Sequence, residues 1–208
     1  MSEALTIEEG ARALGLQIPA GRLDLFERHL ELLSKWNRVH NLTAVREAGQ
    51  MVVVHVLDSL SLVPHLGEAG TLVDVGTGAG FPGIPIAIAR PDIQVTLVDS
   101  SHKKCTFLDQ AKAELGLGNV RVVCDRVERW QPAAPFDVVV SRAFAELSDF
   151  VSQAGHLARP GGRLLAMKGV HPFEEIARVP ASHRVAEVVE LKVPSLDARR
   201  HLVCLEAA

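Results

Sequence analysis

Asp74 is followed by glycines at 76, 78, 80 and 83, and a second acid, Asp99, lies further along the chain. Glycine at this density removes Cβ atoms, so the backbone can turn sharply and approach a ligand closely. The run Thr71-Leu72-Val73-Asp74-Val75 ahead of it is short and apolar, as suits a buried strand. Pro82 and Pro85 behind it suit the first turn of a helix, where no hydrogen-bond donor is lost. Strand, glycine turn and helix N-terminus together make a nucleotide-cofactor site.

Two registers compete for these glycines. Gly78-Ala79-Gly80-Phe81-Pro82-Gly83 is literally GxGxxG, with Asp99 about 20 residues on, which is the dinucleotide fingerprint. Its first glycine should follow the strand at once, however, and Gly78 lies beyond Gly76. Counted from Gly76, the third glycine becomes Phe81 and the match fails. The alternative is Asp74-x-Gly76-x-Gly78-x-Gly80, with an acid at the end of the strand. A carboxylate there suits a ligand with a positive amino group better than one presenting a pyrophosphate. S-adenosylmethionine has an α-amino group, a sulfonium and no phosphate. Asp99 ends the next apolar run, where a carboxylate can accept both ribose hydroxyls. Cys124-Asp125-Arg126-Val127-Glu128 follows a third run and can bracket an adenine. Ser141-Arg142-Ala143 ends a fourth, facing the crevice where open α/β sheets bind ligands.

An alternation of strands and helices must hold these residues. Apolar runs at 71–75, 95–99, 120–124, 137–141 and 163–168 predict strands, and 84–89, 103–115 and 147–157 predict the helices between them. Phe136-Asp137-Val138-Val139-Val140 is continuously apolar after its acid, as a strand buried on both faces of a parallel sheet requires. Residues 185–193 and 201–206, joined through Pro194-Ser195-Leu196-Asp197, predict a terminal antiparallel hairpin. Ahead of the sheet, Thr6-Ile7-Glu8-Glu9 has the spacing of a capping box, for a short helix ending near Gly15. A longer helix is predicted over 21–38, with Leu23, Phe26, Leu30 and Leu33 on one face. A third spans 48–62 and is closed by Pro64 and Gly67. The fold class is α/β: a Rossmann-like, mostly parallel sheet with a terminal antiparallel hairpin, the pattern of class I S-adenosylmethionine-dependent methyltransferases. Residues 1–67 form a helical N-terminal cap and 68–208 the methyltransferase domain, together one compact unit.

Composition narrows the function classes. A chain of 208 residues with 48% hydrophobic residues can bury a sizeable core. A formal charge of -3 argues against strong non-specific nucleic-acid binding and leaves room only for a local basic patch. The three cysteines are widely spaced with no CxxC, which suits a reducing compartment and argues against a thiolate zinc site. The nine histidines lack HExxH-type spacing, so no metal is expected. Met1-Ser2-Glu3 is acidic and no apolar run reaches membrane-span length, so a cytoplasmic protein without a membrane partner is expected, and its size favours a monomer. A small-molecule methyltransferase, a nicotinamide dehydrogenase and a non-enzymatic cofactor-sensing or ribosome-binding protein stand as alternatives.

Several stretches decide among them. Trp36-Asn37, Asn41-Leu42-Thr43, His55-x-x-Asp58-Ser59, Val73 through Pro85, Ser141-Arg142-Ala143 and Arg200-His201 occur in order over nearly the whole chain. In these the sequence resembles bacterial ribosomal RNA small subunit methyltransferase G, a family formerly called glucose-inhibited division protein B. The resemblance implies methyl transfer from S-adenosylmethionine, leaving S-adenosylhomocysteine, to N7 of one guanine in 16S rRNA or the 30S subunit. By the family pattern Gly76, Phe81, Val127, Glu128 and Arg142 contact the cofactor, beside Asp74, Gly78, Gly80 and Asp99 from the reading above.

Guanine N7 carries an in-plane lone pair and no proton, so an in-line displacement needs no general base. The sequence agrees by omission: no D/NPPY follows the fourth strand and no Pro-Cys nucleophile is present. Arg142 is expected to position both ligands; Phe144 and Phe173 read as core aromatics, with stacking of one of them on the base as the alternative. Arg126, Lys168, Arg199 and Arg200 are expected on phosphates or guanine O6, which the arginine fork suits. Lys103-Lys104 reads as an exposed helix face, and His55 with Asp58, three residues apart, equally as a helix hydrogen bond or as part of a site.

Overall fold

The computed structural model describes residues 5–208, so the acidic start Met1-Ser2-Glu3 lies outside the described residues. Helix α1 (Ile7–Ala13) begins on the expected capping box: Thr6 Oγ1 accepts from the Glu9 backbone at 3.2 Å, and Glu9 Oε2 accepts from the Thr6 backbone at 3.0 Å. Helix α2 (Leu23–His40) runs slightly past its predicted end and stops where Asn41 turns left-handed at φ 49°. It buries Phe26, His29, Leu30 and Leu33. The third predicted helix is helical throughout but not uniformly α. It comprises α3 (Ala48–Met51), a π-helical stretch Val52–Leu57, and α4 (Asp58–Leu60). The stretch is Val-Val-Val-His-Val-Leu, and β-branched side chains crowd the turns of a tight helix. Wide turns of this kind recur at functional sites.

Strands β1 (Thr71–Val75), β2 (Gln94–Asp99), β3 (Val120–Cys124), β4 (Phe136–Ser141), β5 (Ala158–Lys168), β6 (His183–Glu190) and β7 (His201–Ala207) form one sheet in the order β3-β2-β1-β4-β5-β7-β6. The first five are parallel, and β7 is antiparallel to both its neighbours. Helices α5 (Gly83–Ala89), α6 (His102–Leu115) and α7 (Leu147–Ala154) connect the parallel strands, and a short α8 (Phe173–Ile176) precedes β6. Asp137 pins the start of β1 to β4, accepting from the backbone of Gly70 at 2.9 Å and of Thr71 at 2.8 Å. The chain order reverses between β1 and β4, so the crevice at their carboxyl ends is the switch point where such sheets bind ligands.

The expected terminal antiparallel hairpin is present, with a link longer than Pro194-Ser195-Leu196-Asp197. β6 ends at Glu190, and residues 191–200 form a long connection that carries Arg199 and Arg200 back to the sheet. The helical N-terminus shares the core of the sheet. Phe26, Leu33, Leu57 and Leu60 pack in one buried cluster with Ile84, Leu97 and Phe107. The opposite face holds a second cluster built from Val73, Val139, Leu147 and Phe150.

Candidate active site

At the end of β1 the backbone turns on Gly76, whose φ of 68° is left-handed and favours glycine. A Cβ at Gly76 would stand 2.8 Å from the Cβ of Ala143 at the end of β4. Space, as well as conformation, therefore requires a glycine here. Asp74 sits beneath this turn and is fully buried. Its Oδ2 accepts from Thr77 Oγ1 at 2.6 Å and from the Gly83 backbone at 2.8 Å, so one carboxylate oxygen ties both ends of the glycine loop. Gly83 carries no Cβ because one would collide with Leu97 and stand 2.9 Å from that same oxygen.

This differs from the expected contact between Asp74 and a ligand. Strand side chains alternate in direction, so Asp74 shares its face with Leu72, toward α5, and does not line the neighbouring cavity. Burial outweighs the two hydrogen bonds and pushes its carboxyl up to about 6.

The cavity, of about 340 Å³, opens between the ends of β1, β2, β3 and β4. Its walls include Gly76, Asp99, Ser100, Lys104, Asp125, Arg126, Val127, Glu128, Ala143 and Phe144. Asp99 Oδ2 accepts from the Gly78 backbone at 3.0 Å and from Lys104 Nζ at 3.2 Å, while Oδ1 accepts from the Ser101 backbone at 2.9 Å. One lone-pair site on Oδ1 is thus left without a protein donor. Lys104, read from the sequence as part of an exposed helix face, belongs to this wall. Its partner is Asp99, the acid that ends the preceding strand. Gly80 is buried and donates to the Thr77 carbonyl at 3.0 Å, which closes the loop without reaching the cavity.

On the other side of the Arg142–Ala143 peptide lies a second recess of about 390 Å³, lined by Val45, Val54, His55, Asp58, Arg142, Met167, Lys168, Gly169 and Arg200. Arg142 NH1 donates to the Val54 carbonyl at 3.0 Å and to Asp58 Oδ2 at 3.1 Å. Arg200 Nε donates to Asp58 Oδ1 at 3.0 Å. The Arg142 guanidinium also lies 5.7 Å over the ring of Phe81.

The family's sequence model, described as rRNA small subunit methyltransferase G, matches residues 22–203. The chain belongs to this family. Two relatives named Ribosomal RNA small subunit methyltransferase G, from Chromobacterium violaceum and Aromatoleum aromaticum, are each 54% identical to it. The first covers 95% of this chain and 94% of the relative, the second 98% of both. Two solved structures share the fold. The O-methyltransferase TomG from Streptomyces achromogenes, in complex with SAM, gives a TM-score of 0.58 at 16% identity over 100% of this chain and 99% of that one. The CcbJ methyltransferase from Streptomyces caelestis gives 0.59 at 15% identity over 73% and 89%. The sheet order above is accordingly that of class I methyltransferases.

Of the residues that the methyltransferase G pattern assigns to the cofactor, Gly76, Val127 and Glu128 line the cavity with Asp99. Phe81 does not. It is 4% exposed, stacked between His55 at 4.6 Å and His29 at 4.8 Å. The side chain of Arg142 lines the recess, while Ala143 and Phe144 line the cavity. The four expected RNA contacts fall in different places. Arg200 joins Arg142 in the recess, Arg126 stands on the cavity rim beside Glu128, and Arg199 is exposed on the 191–200 connection. Lys168 lines the recess, but its Nζ is bound to Glu175 at 2.6 Å and to the carbonyls of Phe144 and Ala145. It is a tie holding the Phe144 loop, which differs from the expected phosphate contact. Phe144 packs at 5.3 Å on Phe150, and Phe173 is exposed and stacked at 3.8 Å on His171.

His55 and Asp58 do not pair with each other: His55 Nε2 meets Thr43 Oγ1 at 2.9 Å instead. His29 Nε2 meets the Ala79 carbonyl at 3.0 Å. Burial is the main cause that pushes both imidazoles down to about 4, so both are neutral at pH 7. Unfolded, they take up protons near 6.5, so this stability is complete above that pH and is lost as pH falls toward 4. Asp74 runs the other way. Its raised carboxyl favours the folded state below 3.8, and that advantage disappears as pH rises through about 6. Two rings outweigh one carboxyl, so unfolding free energy from urea titration should drop on acidification from pH 7 to pH 5. In His29→Phe the drop should be smaller by about 2 kcal/mol. Equal drops in both proteins would contradict the buried neutral ring.

Proposed function

We propose that this chain transfers a methyl group from S-adenosylmethionine to N7 of one guanine in 16S ribosomal RNA. In this reading the cofactor occupies the cavity beside Gly76 and the guanine the recess beside Arg142. The observation that carries it is adjacency: consecutive residues, Arg142 and Ala143, line the recess and the cavity. Two ligands placed there meet across one peptide. Membership of the methyltransferase G family supports an rRNA substrate, whether it arrives as free 16S RNA or within the 30S subunit.

The cavity residues fit the cofactor. Three carboxylates, Asp99, Asp125 and Glu128, stand against Lys104 and Arg126, a balance that suits a sulfonium and disfavours a pyrophosphate. Gly76 leaves a cradle that a Cβ would close, and Val98, Val127 and Phe144 offer apolar walls to a flat base. Bound there, S-adenosylmethionine supplies an electrophilic methyl group on a positive sulfur.

The chain's own residues then have little proton chemistry to do. Guanine N7 presents a lone pair, so alignment is the main task, and it can contribute roughly 7–11 kcal/mol. His55, the imidazole in the recess, is held near 4 and is a weak base at neutral pH. Arg142 and Arg200 offer N–H donors suited to guanine O6 or a flanking phosphate.

Label transfer tests this reading. With methyl-labelled cofactor, radioactivity should enter 30S subunits or naked 16S rRNA and not a metabolite extract. Label found only in metabolites would defeat it in favour of a small-molecule methyltransferase, which the acidic net charge also suits.

A further inference from the structure

Asp58 is 1% exposed, and its carboxylate is shared between two guanidinium groups from distant parts of the chain. Oδ2 accepts from Arg142 at the end of β4, and Oδ1 accepts from Arg200 at the start of β7. Each arginine is further fixed by a carbonyl: Arg142 NH1 by Val54 O at 3.0 Å, and Arg200 NH1 by Arg199 O at 3.0 Å. Nε and NH2 of Arg142 and NH2 of Arg200 meet no acceptor among the described residues, and both side chains are about a quarter exposed in the same recess, at 28% and 24%. The only other cation of the recess, Lys168, is cancelled by Glu175. Two guanidiniums and one carboxylate therefore leave the recess with a net charge of +1.

We propose that Asp58 is a positioning residue for methyl transfer. Resting on the guanine reading above, it does two things. First, it aims the free N–H donors of both arginines into the recess, where they match a purine carrying a carbonyl at position 6 and clash with one carrying an amino group. Second, it limits the positive charge beside a base that itself becomes cationic. When N7 attacks, the new N–C bond forms from its lone pair as the C–S bond breaks, and the electron pair of that bond stays on sulfur. The positive charge thus moves from sulfur to the purine, into the recess. A recess at +2 would oppose that movement although it would attract the RNA polyanion more strongly.

The expected signature is a split that loss of packing would not produce. In Asp58→Asn, kcat for 30S methylation should fall about 100-fold, as a misplacement of the order of 1 Å does. KM for the RNA should be unchanged or lower, and the cofactor Kd by calorimetry should stay within about threefold. If Asp58→Asn does not fold, Asp58→Glu keeps the charge but moves both donors, and its kcat should fall at least about tenfold with KM unchanged. A kcat within about threefold of wild type in the folded variant would overturn the role of Asp58, as would a parallel loss of cofactor affinity and melting temperature. Wild-type protein run alongside separates the failures. No transfer by wild type defeats the guanine reading and this inference with it, whereas an active wild type with an equally active Asp58→Asn defeats the inference alone.

Discussion

Arg142→Ala should lower methyl transfer to 30S subunits by at least about 1,000-fold while leaving the cofactor Kd within about threefold. The side chain makes three contacts at once: the Val54 carbonyl at 3.0 Å, Asp58 Oδ2 at 3.1 Å, and the face of Phe81 at 5.7 Å. Its removal strips the recess of one of its two free forks and leaves Asp58 buried against Arg200 alone. Arg142→Lys should rescue little. A single ammonium cannot reproduce a planar fork that bonds on one edge and leaves donors free on the other. The resemblance implied a cofactor contact for Arg142, whereas its guanidinium lines the recess and the next two residues, Ala143 and Phe144, line the cavity. Single-turnover transfer and calorimetry on the same variant separate the two roles. Transfer within about tenfold of wild type would contradict the account, and so would a cofactor Kd that rises in step with the loss of transfer.

Gly76→Ala should weaken cofactor binding by about 30-fold or more. An L-residue held at φ 68° costs about 1–2 kcal/mol. The new Cβ would also stand 2.8 Å from Ala143 Cβ, so the wall between cavity and recess must shift. The fold should survive, because Gly76 is exposed and its backbone donates to the Val98 carbonyl at 2.9 Å whatever its side chain. Pairing the change with Ala143→Gly should recover the part of the loss due to the collision and not the part due to φ. Calorimetry with S-adenosylmethionine reads both. A Kd within about twofold of wild type in the single variant would show that this turn does not cradle the ligand.

How much of this was legible beforehand depends on the range of the interaction. Strands β1 and β3 match their predicted limits because a short, mostly apolar stretch, Thr71–Val75 ending at Gly76 and Val120–Cys124 ending at Asp125, is a local signal. The glycine turn was legible for the same reason. The π-helical stretch was not, since one apolar face over 48–62 looks alike at 3.6 residues per turn or slightly more. The spacing of His55 and Asp58 fits a helix hydrogen bond and a site equally well, and it cannot show that the partners of Asp58 lie 84 and 142 residues away. The alternation of β1 points Asp74 away from the cavity, but the reason it faces α5 is the Gly83 backbone, which only the folded loop brings to it. Lys168 had the right type and place for a phosphate contact, and Glu175, on a short helix the pattern did not announce, neutralises it. Type and spacing thus locate the crevice at the switch point of the sheet well and the charge balance of the recess poorly.

The most direct test of the central claim is to map N7-methylguanine in 16S rRNA from cells with and without this gene, by mass spectrometry of nuclease fragments. One N7-methylguanine should be present with the gene, absent without it, and restored by wild-type protein but not by Arg142→Ala. An unchanged N7-methylguanine content, or a methyl group lost from a different atom or RNA, would contradict the account.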